Sequence, residues 1–94
     1  MINEIQKEKL RHFLTYPKMF VSDTEKWQII SFIHGFEFAL DDNSITESIS
    51  DFFQKTHNIF GSNSGWPYQV EQFADKNSIG WFESFKIVTE HVIN

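Results

Sequence analysis

No cysteine appears anywhere in this chain. Small secreted domains are commonly stapled by disulfides, so a disulfide scaffold is excluded and a reducing, cytoplasmic compartment is expected. Bases are scarce as well: 8 Lys and Arg against 13 Asp and Glu leave a net charge of −5. Nucleic acid is disfavoured as a partner, because phosphate binding needs a basic face. No apolar run approaches the roughly 18–20 residues that cross a bilayer. The first seven residues alternate apolar with polar side chains instead of forming the apolar region of a signal peptide. No membrane association is expected.

What is abundant is aromatic: 11 Phe, 3 Trp and 2 Tyr in 94 residues. A chain of this length makes one domain, residues 1–94, and buries only about 60–65% of its unfolded surface. Rings that each bury on the order of 150–250 Å² compensate for the small size, so most of the aromatics are expected in the core.

The apolar residues recur at three and four rather than at two, which predicts an all-α fold, a compact bundle of four to five helices. Residues 3–15 form the first helix, with Ile2, Ile5, Leu10, Phe13 and Leu14 on one face, and Pro17 ends it. Ser22-Asp23-Thr24-Glu25 reads as a capping box opening a second helix that runs to Leu40. Ile29, Phe32, Ile33, Phe36 and Leu40 form one stripe there, and Trp27, Ser31, His34 and Phe38 a second. A helix apolar on both sides is expected at the middle of a bundle. Mid-helix Gly35 suggests a close crossing by another element.

Ser44-Ile45-Thr46-Glu47 is a second box, opening a third helix through His57 with Ile45, Ile49, Phe52 and Phe53 inward. Asn58 to Gly65 is a loop, its start pinned by Ile59 and Phe60. A short helix of about eight residues follows from Pro67 to Ala74. Asn77 or Ser78 then caps a last helix to Ile93 with the stripe Trp81, Phe82, Phe85, Val88 and Val92.

Chemistry-bearing patterns are few. His12, His34, His57 and His91 are scattered, with none in a metal-ligand pair, so no metal site is expected. Asp41-Asp42-Asn43 lacks the central glycine and final glutamate of a calcium loop. Gly61 and Gly65 bracket serines without the lysine of a phosphate-binding loop, and no nucleophile motif is present. Neither catalysis nor a cofactor is expected.

One stretch does stand out. Between residues 37 and 51 the chain carries five acids and no base: Glu37, Asp41, Asp42, Glu47 and Asp51. Residues 1–26, by contrast, hold five bases and four acids. The acidic stretch reads either as a solvated, helix-capping segment or as a docking surface for a basic protein. Trp66 at the end of the polar loop reads as a lid over the core or as a binding hot spot. The patch around Trp27 and Phe38 is left for the first helix or a second subunit to cover, so a monomer or a weak homodimer is expected.

The run from Leu10 to Phe20, the element Phe32-Ile33-His34-Gly35-Phe36 with Ala39-Leu40, Trp66, and the closing Phe82 and Phe85 resemble a family of small helical bacterial proteins. Tyr16 and Lys18 depart from it, standing where arginine and glycine are common. That family resembles the immunity proteins of toxin systems such as contact-dependent growth inhibition. The resemblance implies a cytoplasmic protein that binds a cognate toxin domain and occludes its active site. Such toxins are often nucleases, ribonuclease or DNase, with basic faces. It also implies that Glu37, Asp41, Asp42, Glu47, Asp51 and Trp66 contribute to partner binding. The other reading is an adaptor or regulatory protein-binding domain unrelated to toxins.

Overall fold

The computed structural model describes residues 2–61 and 65–94, so Met1 and the middle of the polar loop, 62–64, lie outside the described residues. The first helix, α1, spans Glu4–Thr15. It opens with an unforeseen capping box: Asn3 Oδ1 accepts from the Gln6 amide at 2.9 Å, and Gln6 Oε1 accepts from the Asn3 amide at 2.8 Å. Gln6 is buried while Ile5 is 65% exposed, reversing the expectation for Ile5. At about 100° per residue, Ile5 lies about 140° from Leu10 and opposite Leu14, whereas Gln6 falls between Leu10 and Phe13. A 3-10 turn, Pro17–Met19, follows.

The second helix, α2, spans Lys26–Leu40, and the box expected at Ser22 does not form. Glu25 caps α2 instead, accepting from the Trp27 amide at 3.2 Å. Gln28 draws the preceding loop onto the flank of α2, its Oε1 accepting from both the Ser22 hydroxyl and the Asp23 amide at 2.9 Å. Helix α3 spans Ser44–His57 and buries Ile45, Ile49 and Phe53 completely. Helix α4 spans Gly65–Asn77, thirteen residues where about eight were expected. Its N-terminal glycine, at φ +69°, holds a backbone position that favours glycine. A Cβ on Gly61 would meet the Gly65 backbone at 3.0 Å, so the close approach in this fold is there.

Helix α5 spans Trp81–Ile93 and is capped by Gly80 rather than by Asn77 or Ser78. It, not α2, is the centre: α1, α2, α3 and α4 all pack on it. Its buried set includes Ser84 and Thr89 beside Phe85, Val88 and Ile93. Small side chains let α4 approach, and the Ser84 hydroxyl donates to the Val70 carbonyl at 2.8 Å. Arg11 ties α1 to the end of α5 by donating to the Ile93 carbonyl at 3.1 Å. Only one side of α2 is covered, and Gly35 has open space rather than a crossing helix beside it. Ile59 packs on the core, but Phe60 is 58% exposed and pins nothing. Among the described residues there is no strand, and no helix is long and apolar enough to cross a membrane.

Candidate partner-binding surface

Where α2 turns into α3, the five carboxylates of residues 37–51 divide into two roles. Glu37, near the end of α2, is only 8% exposed. Its carboxylate accepts from the Thr46 amide and the Thr46 hydroxyl, each at 3.0 Å. Asp42, half-buried, accepts from the Ser44 amide at 2.8 Å and from the Ser44 hydroxyl. These two carboxylates satisfy opening amides of α3 and oppose the positive end of its dipole. The box expected at Ser44 is therefore absent: Ser44 is already helical, and Asn43, the residue before it, caps nothing with its side chain.

The bonds from Ser44 hold the Asp42 carboxyl below its ordinary value of 3.8. A lowered value places this contribution to stability above the ordinary pKa, and it is lost as pH falls through the lowered one.

Asp41, Glu47 and Asp51 remain exposed. Asp51 has Lys55 at 3.8 Å, one turn along α3. The side chains of Asp41 and Glu47 have no ion-pair or hydrogen-bond partner among the described residues. Asp41 ends α2 at a left-handed φ of 52°, which aspartate tolerates, but it places an anion at the negative end of a helix with no base in its last turn.

Beside it Phe38 is 88% exposed, the most exposed large apolar residue among those described. His34, Glu37, Phe38, Asp41, Asp42 and Asn43 line an open hollow of ≈ 380 Å³. The corner thus presents carboxylates around a projecting ring. Spacing alone put Phe38 in a stripe to be covered; its prominence follows from α2 lying at the edge of the bundle.

Trp66 is 7% exposed and packs on Trp81 and Phe85, with ring centroids 6.0 Å apart in each pair. Its indole N–H donates to His34 Nε2 at 3.3 Å. Trp66 is a lid on the core and reaches the acidic hollow only through His34. The other histidines lie against rings: His12 on Tyr16 and Phe20, His57 on Phe73, His91 on Phe52. Among the described residues no three potential metal ligands gather. No protein-family model, curated protein or solved structure matches the chain.

Proposed function

We propose that this protein is an immunity protein: it binds a basic toxin domain through the α2–α3 corner and blocks that domain's active site. The observation that carries the reading is unneutralised Asp41 beside the 88% exposed ring of Phe38, with unneutralised Glu47 on the opening turn of the next helix. Natural sequences break local structural preferences mainly at functional sites, and Asp41 breaks one by setting an anion at the negative end of α2. An aromatic anchor within a charged rim is the usual composition of a binding hot spot. Glu37 and Asp42 take a supporting part, holding the start of α3 and so the placement of Glu47. The charge steers a basic partner, over the ~8–10 Å that salt permits, and the ring supplies the dry contact. Durable neutralisation calls for nanomolar binding, about −12 kcal/mol.

The test is made with the toxin domain that co-purifies with the protein from its native cells. Phe38→Ser should weaken binding by about 30-fold or more, the loss of a hot spot of about 2 kcal/mol. Asp41→Lys with Glu47→Lys should slow association and flatten its dependence on salt. Both changes leave the bonds of Glu37 and Asp42 untouched, so folding is preserved. If the variants protect toxin-expressing cells as well as the wild type does, the corner is not the docking surface. If the wild type gives no protection, the immunity reading itself fails.

A further inference from the structure

On the opposite flank of α2 runs a second surface of different character. His12 lies against Tyr16 and Phe20, with ring centroids 5.6 and 5.5 Å away. Phe13 contacts Phe20 at 5.8 Å and stacks on Phe32 at 4.2 Å, and Phe32 is parallel to Phe36 at 6.2 Å. These rings form a continuous rank across α1, the 3-10 turn and α2. Its inner rings, Phe13, Phe32 and Phe36, lie on the core, while its outer ones stay open, Tyr16 at 55% exposed and Phe20 at 44%, with Trp27 64% exposed beyond them on α2. Two hollows of ≈ 410 and ≈ 580 Å³ flank it and share Phe20 and Phe32; Trp27 lines the larger. Rings already held against one another lose little side-chain freedom on binding.

The charges on this surface differ from those of the acidic corner. Glu8 and Lys9 line the smaller hollow side by side. Neither side chain has an ion-pair or hydrogen-bond partner among the described residues. One unpaired acid beside one unpaired base matches neither a basic nor an acidic partner, but it matches itself. Across a two-fold axis Glu8 of each copy meets Lys9 of the other, as an isologous contact requires. The acid excess of the chain lies on residues 37–51, away from this face, so the two copies do not bring their acidic corners together.

We infer that the open aromatic face of α1, the 3-10 turn and α2 is a homodimer interface, seating a second copy of this chain about a two-fold axis. A stable interface takes about 800 Å² from each partner. That is about a seventh of the 5715 Å² surface of this molecule, within what one side of a body measuring 29 × 27 × 24 Å can offer.

Sedimentation equilibrium of the purified chain, from about 1 μM to 1 mM, reads the outcome directly. A concentration-dependent dimer is expected. Trp27→Glu should raise its dissociation constant by about tenfold or more, since the 64% exposed Trp27 lines the larger hollow together with Phe20 and Phe32. Glu8→Lys should weaken it by setting like charges opposite each other, and Glu8→Lys combined with Lys9→Glu should restore it. Glu8 is an exposed, unpartnered helical position, so this pair remains decisive even if Trp27→Glu disturbs folding. Asp41→Lys with Glu47→Lys should leave the dimer intact, which separates this interface from the corner proposed for the toxin. A chain that stays monomeric at 1 mM overturns the inference. So does a dimer indifferent to Glu8→Lys and to Trp27→Glu, or one abolished by the corner variant.

Discussion

The α3–α4–α5 side and the α1–α2 side draw on the same aromatic stock and use it in opposite ways. On the first, Phe53 and Phe85 are fully buried and Trp66 nearly so. The Gln69 amide is tied inward there too, donating to the Ile59 carbonyl at 2.9 Å. On the second, Trp27, Phe38 and Tyr16 are each more than half exposed. Ring content therefore does not distinguish core from contact surface. What separates them is whether another helix arrives to cover the ring, and α5 arrives on only one side of α2.

Three substitutions sharpen that contrast. Phe85→Ala, in the sealed half, should lower stability by about 3–5 kcal/mol in urea unfolding, as the removal of a fully buried ring does. A loss below about 1 kcal/mol would mean that the sealed half is no tighter than the open one. Next comes Glu37→Ala, which strips the partner from the Thr46 amide and should cost about 2 kcal/mol. Glu37→Gln, which keeps an acceptor oxygen, should recover much of that loss. The smallest effect belongs to Gly35→Ala on the open flank. It should raise stability by about 0.5–1 kcal/mol, because a methyl there meets empty space on a helical backbone. A fall in the melting temperature instead would reveal a hidden close contact on that flank.

Helix type and several boundaries were legible from spacing: α3 ends at His57 and α2 at Leu40, as read. The capping pattern was less readable. A box that was not read forms at Asn3, while neither of those read from the sequence, at Ser22 and at Ser44, does. Their groups are claimed by Gln28, Glu37 and Asp42, competitors that only the folded loops bring into reach. Centrality was hidden in the same way, since Ser84 and Thr89 count as polar in any stripe yet lie buried on α5.

At the candidate site the charge excess was plain in the sequence, and its partition was not. Glu37 becomes an internal cap because the turn at 41–43 carries Thr46 back to it. Trp66 had two readings, and the structure adds that it is 7% exposed and packs on Trp81 and Phe85. Phe38 gained its place at the surface only when α2 proved peripheral.

Three helices close on residues in the left-handed region, and none of the three is glycine: Asp41 at φ 52°, Asn58 at φ 56° and Ser78 at φ 56°. In each case the next residue sends its amide back to a carbonyl of the helix just ended: Asp42 to Glu37, Ile59 to Phe53 and Ile79 to Ala74, at 3.0–3.1 Å. A side chain in that conformation costs roughly 1–2 kcal/mol, which the isolated segment has little to offset. The reversal holds once the residue beyond it is seated, as Ile59 is against the core. Helix length in this protein is therefore an outcome of assembly.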